Sequence, residues 1–281
     1  MKVFKTNVTK RIALYATVVI ILIIAGVCVN RVNKKFLQIR EEIEVLKEEL
    51  IKEDVHVSTD NAIVTEMMVL QRSCHLDCLP HHVLCIGNSI TLHQPLGDIN
   101  WYSCHGMAAS KPENDYCHIL EKMMRQHNPT TTVTPVSLVP WERDFSIDID
   151  SLLKEDCEGK DIIVIRIGEN VVEQDIPEFA GALSKLVEYC QQYTKNIVVT
   201  GQYWPERQKE LAVVQVVRDY SLVYVPLYWI WNLYEGECSL KEGDTLYNTE
   251  GQPYQVEGED ILTHPNDKGM ELIARSIYNS L

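Results

Sequence analysis

From residue 81 to the C-terminus, short apolar runs alternate with longer stretches of helical spacing, and this alternation constrains the fold more than any other feature. The apolar, β-rich runs lie at 83–87, 162–167, 197–203 and 222–230. The helical stretches lie at 114–126, 177–193, 205–218 and 267–278. Such alternation favours a parallel sheet with helices packed on both faces. We therefore predict a three-layer α/β/α domain with a mostly parallel sheet over residues 81–281.

A glycine turn follows the first predicted strand. Residues 83–91 read Val-Leu-Cys-Ile-Gly-Asn-Ser-Ile-Thr, so that Ser89 comes directly after an apolar run and a glycine. Open α/β sheets bind ligands at the carboxyl ends of their strands, where this turn would present a hydroxyl group. A serine without a base is a weak nucleophile at neutral pH. His264, in the segment His-Pro-Asn-Asp-Lys-Gly-Met near the C-terminus, is the candidate base.

These segments resemble the sequence blocks of the SGNH or GDSL-type hydrolases. The first block of that family reads Gly-Asp-Ser followed by Leu or Ile, and residues 87–90 match it with Asn in place of Asp. The third block is Gly-x-Asn-Asp after an apolar strand. Here the run 162–167 leads into Gly-Glu-Asn at 168–170, and Val171 replaces the final Asp. The best match to the second block is Gly-Met-Ala-Ala-Ser at 106–110.

The resemblance implies a flavodoxin-like SGNH hydrolase fold and a site that cleaves esters. In such a site Ser89 is the nucleophile and His264 is the base. The oxyanion of the tetrahedral intermediate is held by the backbone N–H groups of Ser89 and Gly106 and by the side chain of Asn170. A shift in the register of the second block would make Ala109 the backbone donor in place of Gly106.

The third member of the expected triad is open. The family places an Asp three residues before the His, and this chain has Ile261 there. Asp260 is one residue further back, and we predict that it orients His264. The alternatives are Asp267 and a backbone carbonyl group. The carbonyl alternative would leave a Ser-His dyad, which is slower but not inactive.

A glycine-rich segment breaks the alternation directly before His264. Residues 236–260 contain four glycines and a proline and lack a helical period. We predict a loop or hairpin insertion that borders the active cleft, because segments of this kind often determine which substrate an enzyme accepts.

The residues before the domain predict a membrane anchor and a stalk. Residues 12–29 carry no charge and have basic residues on both sides, and a helix of this length can cross a bilayer. A cleaved signal peptide is the alternative, although its apolar stretch is usually shorter. Residues 33–53 have apolar positions at steps of three and four, as in a coiled coil. Residues 1–11 form a short tail, and 54–80 form a connector.

The stalk and the anchor carry predictions about assembly and location. The stalk would join chains into a homodimer or homotrimer, or it would pack on its own domain as an amphipathic helix. The basic residues around 12–29 are nearly balanced and decide little about topology. We expect the usual arrangement for such an anchor, a single-pass membrane protein with an extracytoplasmic catalytic domain.

The charge distribution argues against a nucleic-acid partner. Residues 1–40 hold eight Lys or Arg and no acidic residue, so 41–281 hold the other 18 basic and all 40 acidic residues, a net charge of −22. A domain this acidic repels polyanions.

No metal or other cofactor is predicted. Cys74, Cys78, His81 and His82 have the loose spacing of zinc ligands, but no second pair at the expected distance completes the set.

Together these features predict a membrane-anchored serine esterase. Its substrate would be an O-acyl ester, most plausibly acetyl, on an extracytoplasmic carbohydrate or a small ester. One alternative is an O-acyltransferase that uses the same Ser and His. Another is a catalytically inactive glycan-binding or scaffold module. An α/β-hydrolase elbow is disfavoured, because Thr91 stands where that motif needs glycine.

Overall fold

The structure is a computed structural model that describes residues 82–257, 259 and 261–281 of the chain. The predicted tail, anchor, stalk and connector lie outside the described residues, and so does Asp260. Among the described residues, no helix combines the length and apolar character needed to cross a membrane.

A parallel five-stranded sheet lies at the centre of the domain, in the order β2-β1-β3-β4-β5. The strands are β1 (His82–Gly87), β2 (Thr132–Ser137), β3 (Ile162–Arg166), β4 (Ile197–Thr200) and β5 (Val223–Val225). Every residue of β3 is buried, as expected for a central strand covered on both faces. This strand order is that of flavodoxin-like sheets. It confirms the predicted mostly parallel α/β fold.

Helices cover both faces of the sheet and complete the three layers. They are α1 (Tyr116–Arg125), α2 (Val139–Arg143), α3 (Ile149–Cys157), α4 (Ile176–Cys190), α5 (Arg207–Asp219), α6 (Tyr228–Cys238) and α7 (Asp267–Tyr278). Successive side chains of a strand point to opposite faces. Leu84 and Ile86 of β1 therefore pack in one core with α4 and α5, whereas Val83 and Cys85 pack in a second core with α1 and α7.

An antiparallel hairpin lies between α6 and α7. Its strands are β6 (Thr245–Tyr247) and β7 (Pro253–Gln255). The N–H of Tyr247 donates to the Ser110 carbonyl oxygen at 3.0 Å, which ties the hairpin to the loop before α1. A third, smaller core that includes Trp101, Leu246 and Ile261 lies in this region. The predicted insertion at 236–260 thus contains a hairpin.

The sequence pattern misses some elements and extends two strands too far, one of them the predicted run 197–203, since β4 ends at Thr200. It does not predict β2, an edge strand whose residues are all half-buried and which tolerates Pro135 because it is at the edge. It also misses α2 and α3, which bury few side chains. The predicted strand at 222–230 is wrong beyond Val225, since α6 begins at Tyr228. Aromatic residues at the start of α6 have high β-propensity, which explains the error.

Gly87 ends β1, and its lack of a side chain is required by close packing. A Cβ atom here would lie 1.8 Å from Thr91 Oγ1 and 3.0 Å from the Arg166 carbonyl oxygen. We expect Gly87→Ala to lower the free energy of unfolding by about 1–3 kcal/mol, measured by urea denaturation. The cause is that Thr91 must move away from the Tyr116 hydroxyl, which lies 2.8 Å from its Oγ1.

Gly181→Ala is the matched control for this substitution. Gly181 lies within α4, and no atom is within 4 Å of the position of an added Cβ. Alanine is a better helix former, so this variant is expected to gain up to about 1 kcal/mol. Similar unfolding free energies for the two variants would contradict the packing argument.

Candidate active site

Ser89 and His264 lie within hydrogen-bonding distance although 175 residues separate them in sequence. Ser89 is in the turn after β1, and His264 is in the segment that leads into α7. The Oγ atom of Ser89 is 3.3 Å from Nε2 of His264. β1 and β3 flank the point where the strand order reverses, and open α/β sheets bind their ligands at such a point. The structure thus brings together the predicted nucleophile and the predicted base.

An indole ring contacts His264 edge to face. The ring centroids of Trp204 and His264 are 4.8 Å apart, with an interplanar angle of 81°. The indole N–H donates to the Thr263 carbonyl oxygen at 3.3 Å, so that Trp204 is itself held in place. This contact restricts the tilt of the imidazole ring. The sequence pattern gives no sign of it, because Trp204 and His264 are far apart in the chain.

Desolvation of the half-buried His264 ring favours its neutral form. Desolvation lowers the pKa of His264 from its ordinary value of 6.5 to about 4. The carbonyl groups of Leu262 and Ile261 act in the opposite direction, and the positive charge of Arg166 lowers the pKa further. At neutral pH the ring is therefore unprotonated, which is the form that can accept a proton from a serine hydroxyl.

The backbone carbonyl groups of Leu262 and Ile261 lie near the ring of His264, but neither makes a close hydrogen bond to its second nitrogen, so the carbonyl alternative stays a prediction. An imidazole whose Nε2 accepts from Ser89 carries its own proton on Nδ1. Nδ1 is buried and makes no hydrogen bond within the part of the chain that the structure describes. Ile261, at the position of the family's Asp, is fully buried in the third core. Asp260 lies outside the described residues, so its pairing with Nδ1 stays a prediction.

Asp267 does not orient His264. Its Oδ1 accepts from the N–H of Ser110 at 2.7 Å. Its Oδ2 accepts from the hydroxyl of Ser110 at 2.6 Å and from Nδ2 of Asn114 at 2.8 Å. The carboxylate therefore ties the start of α7 to the loop before α1. This removes Asp267 from the candidates for the third triad member.

The second-block loop packs against the turn that carries Ser89. The N–H of Met107 donates to the Ser89 carbonyl oxygen at 2.8 Å. Asp115 is the N-cap of α1, where its Oδ1 accepts from the N–H of His118 at 2.8 Å. Its other oxygen, Oδ2, accepts from the N–H of Gly106 at 3.2 Å. Asp115 thus fixes the loop to the start of α1.

The backbone N–H groups of this loop differ in whether they already donate a hydrogen bond. The N–H of Gly106 is bound to Asp115, and the N–H of Ala109 donates to the Gly106 carbonyl oxygen at 3.3 Å. Ala108 has a φ of 76°, and its N–H and that of Ser89 make no hydrogen bond within the described residues. Gly106 would have to leave Asp115 to bind an oxyanion, and its role as a donor stays a prediction.

Asn170, the predicted side-chain donor, is bound to a buried glutamate. Its Nδ2 donates to Oε2 of Glu142 at 2.8 Å. Glu142 lies on α2, is fully buried, and also accepts from the N–H of Gly168 and, at 3.3 Å, from Nδ2 of Asn88. Desolvation, with the negative charge of Glu169, raises the pKa of Glu142 to about 7, and the three hydrogen bonds oppose that rise. One carboxylate thus contacts both the turn after β1 and the turn after β3.

A buried ion pair orients Asn88. Arg166 is fully buried, donates from one terminal nitrogen to Oδ1 of Asn88 at 2.8 Å, and donates from the other to Glu169. Nδ2 of Asn88 donates to Oε2 of Glu169 at 2.6 Å. The carboxamide therefore has a single orientation that satisfies all partners. An Asp at this position, as in the family's first block, would accept from Arg166 but could not donate to Glu142 and Glu169.

The buried polar cluster of Asn88, Glu142, Arg166, Glu169 and Asn170 is only partly visible in the sequence. Arg166 carries a signal, since a charged residue inside an otherwise apolar central strand is rarely buried without a partner. Glu142 carries none, because it lies on a short helix that the pattern does not predict. The cluster becomes apparent only when α2 is placed beside the ends of β1 and β3.

Comparisons with known proteins give structural likeness alone. No family model and no curated protein sequence matches the chain. Solved structures that match include LAE5, an alpha/beta hydrolase enzyme from the metagenome of Lake Arreo, with 15% identity and a TM-score of 0.45 over 71% of this chain and 94% of that one. Axe2, an acetylxylan esterase from Geobacillus stearothermophilus, has 16% identity and a TM-score of 0.43 over 71% of this chain and 93% of that one.

A third match is a lipolytic protein of the G-D-S-L family from Desulfitobacterium hafniense. It has 11% identity and a TM-score of 0.43, and the match covers 72% of this chain and 99% of that one. Because the identities and scores of all three are low, the chemistry of this chain is inferred from its own side chains.

We expect Asn88→Asp to lower the free energy of unfolding by about 3–5 kcal/mol at neutral pH, as removal of one partner from a buried charged network does. The change removes the two hydrogen bonds that Asn88 donates to carboxylates and adds a negative charge beside Glu142 and Glu169. Urea denaturation measures the effect.

Asn248→Asp is the control for this variant. Oδ1 of Asn248 accepts from the N–H groups of Glu250 at 3.0 Å and Gln252 at 2.8 Å, and a carboxylate can accept both. Its unfolding free energy should stay within about 0.5 kcal/mol of the unsubstituted protein. A loss of the same size at both positions would show that the buried network does not require a donor at residue 88.

The lowered pKa of His264 is directly measurable. We expect its ring resonance in NMR spectra to titrate at about pH 4, with assignment by His264→Gln. Since the folded pKa lies below the unfolded one, protonation favours the unfolded state. This group therefore makes the protein less stable as the pH falls from 6.5 to about 4. Titration at the ordinary value of 6.5 would contradict the burial argument.

Proposed function

We propose that residues 81–281 form a serine esterase in which Ser89 is the nucleophile and His264 is the general base. The observation that carries the proposal is the 3.3 Å contact between Ser89 Oγ and His264 Nε2 at the switch point of the sheet. The neutral state of His264 supports it, because a base must be unprotonated before the reaction starts.

In the acylation step, Ser89 Oγ attacks the carbonyl carbon of the ester while its proton passes to Nε2 of His264. A bond forms between Oγ and the acyl carbon, and the carbonyl oxygen becomes an oxyanion. When the tetrahedral intermediate collapses, the bond to the alcohol oxygen breaks and the alcohol leaves with the proton from His264. The acyl group is then covalently bound to Ser89.

In the deacylation step, water takes the place of the alcohol. His264 removes a proton from the water as the water attacks the acyl carbon. It returns this proton to Ser89 Oγ when the bond between Oγ and the acyl carbon breaks. The products are the free acid and regenerated Ser89. The reaction is a hydrolysis and involves no change of oxidation state.

The oxyanion requires hydrogen-bond donors placed before the reaction. The N–H of Ser89 and the N–H of Ala108 are unengaged within the described residues, and Asn170 keeps one amide hydrogen that Glu142 does not use. These three groups are our proposed oxyanion hole. Gly106 takes the place of Ala108 only if its bond to Asp115 opens.

The proposed substrate is an acetyl or other short acyl ester, on a carbohydrate or a small alcohol. Trp204 is half-buried beside His264 and offers an aromatic surface against which a sugar ring can pack. We further propose that residues 12–29 anchor the protein in a membrane with this domain on the extracytoplasmic side. The stalk at 33–53 would then hold two or three copies together.

The test is turnover of small aryl esters and release of acetate from acetylated oligosaccharides. Ser89→Ala and His264→Ala should each reduce kcat by about 10³-fold or more, because neither residue works without the other. Ser276→Ala is the matched control, since its hydroxyl only donates to the Leu272 carbonyl oxygen within α7. Equal rates for wild type and His264→Ala would remove His264 from the mechanism.

The same assay separates the alternatives. Acyl transfer would give an acylated sugar when a carbohydrate acceptor is present, with little free acetate. An inactive glycan-binding module would show no turnover, and a fluorophosphonate would not label Ser89 in the folded protein.

A further inference from the structure

We propose that Glu142 is a positioning residue for this reaction: it fixes the carboxamide of Asn170 in the orientation that binds the oxyanion and links it to the turn of the nucleophile. The inference rests on the proposed esterase function and assigns a role to a residue that does not touch the reacting atoms.

The hydrogen bonds of the Asn170 amide group determine its orientation. The Nδ2 of an asparagine has two hydrogens, and Glu142 Oε2 accepts one of them at 2.8 Å. The other hydrogen is left for the oxyanion. Without a partner, the terminal torsion of asparagine is broad and nearly two-fold, so that the amide would also present its oxygen to the site. An acceptor on Nδ2 excludes that orientation.

The second oxygen of Glu142 extends the effect to the nucleophile. Oε1 accepts from Nδ2 of Asn88, the residue directly before Ser89, and from the N–H of Gly168. Both turns of the site therefore share one carboxylate. A shift of either turn would break a hydrogen bond to a buried charge, which is costly in an apolar surrounding.

The fold holds Glu142 firmly in this place. The N–H of Leu138 donates to the Gly87 carbonyl oxygen at 2.6 Å, which joins the start of α2 to the end of β1. The N–H of Glu142 then donates to the Leu138 carbonyl oxygen at 3.0 Å. Trp141, the neighbouring residue, is also buried and packs on Phe145 with ring centroids 5.1 Å apart. These contacts hold the carboxyl group of Glu142 in place before a substrate binds.

Glu142 offers no direct electrostatic benefit, because any negative charge that it carries opposes a developing oxyanion. Removal of the charge alone would therefore speed the reaction. Glu142→Gln separates the two effects, because Gln has one acceptor oxygen for three donors. If that oxygen accepts from Gly168 and Asn88, the amide nitrogen faces Nδ2 of Asn170, and two donors cannot bond. The Asn170 carboxamide would then turn, and the rate would fall.

The test is a double-mutant cycle on the full-length protein with an aryl ester. We expect Asn170→Ala to lower kcat by about 10²–10³-fold, as loss of an oxyanion donor does. Glu142→Gln should lower kcat by about 10–100-fold, a fraction of that effect, with KM changed less than about threefold. In the Asn170→Ala background, Glu142→Gln should cost a clearly smaller factor, since residues that act as a unit are not additive, and the factor that remains measures the contact of Glu142 with the turn of the nucleophile.

Glu210→Gln is the matched control. Glu210 is also a buried carboxylate near the ends of the strands, but it accepts from the N–H of Gln202 at 3.2 Å and from the Tyr224 hydroxyl. It has no bond to Asn88 or Asn170 in the structure. Its kcat should stay within about threefold of wild type, as expected for a residue with a structural role only.

Two outcomes overturn the proposal: a wild-type kcat in Glu142→Gln, or the same factor lost in both backgrounds. If Glu142→Gln fails to fold, Glu142→Asp gives the same cycle, because its carboxylate is one methylene too short to reach Asn170. These outcomes require an active wild type. Absence of turnover and of Ser89 labelling in the wild type would instead refute the esterase function itself.

Discussion

The parallel pairing of β1 with β3 is the constraint on which the site depends. It places Gly87 opposite Arg166, so that the two strands end together and their following turns lie side by side. The turn after β1 supplies Asn88 and Ser89, and the turn after β3 supplies Glu169 and Asn170. Because side chains alternate along a strand, a slip of one residue would move Arg166 to the other face of the sheet. The ion pair and the asparagine contacts would then be lost.

Burial of the polar cluster at this edge of the sheet opposes folding, because polar and charged groups lose their contact with water. Glu142 and Arg166 are fully buried and the side chain of Glu169 is nearly so, and such groups are stable only when nearly every donor and acceptor is satisfied. Here Asn88 connects the three charged groups, and Asn170 contacts Glu142 alone of the three. Asn88 accepts from the guanidinium and donates to both carboxylates, a combination that a carboxylate at residue 88 cannot provide. The Asn at residue 88, where the sequence block that it resembles has Asp, thus has a physical reason in the neighbouring Glu142 and Glu169.

Much of the fold follows from sequence, because apolar runs and helical periods report burial. Four strands of the parallel sheet and the helices α1, α4, α5 and α7 lie where periodicity predicts them. The edge strand β2 and the short helices α2 and α3 do not, since half-buried segments carry weak patterns. The resemblance to the family's sequence blocks predicts that Ser89 and His264 lie close together, as they do in the structure. The role of Glu142 and the contact of Trp204 with His264 could not be predicted, because they depend on segments distant in sequence.

The account depends on Ser89, His264 and Asn170 sharing one crevice. The most direct test is a crystal structure of the protein after reaction with a phosphonate that mimics the tetrahedral intermediate. The account predicts a covalent bond from Ser89 Oγ to phosphorus, His264 Nε2 within hydrogen-bonding distance of Oγ, and the phosphoryl oxygen bound by the N–H of Ser89 and Nδ2 of Asn170. An adduct on another residue, or a phosphoryl oxygen that Asn170 does not contact, would contradict it.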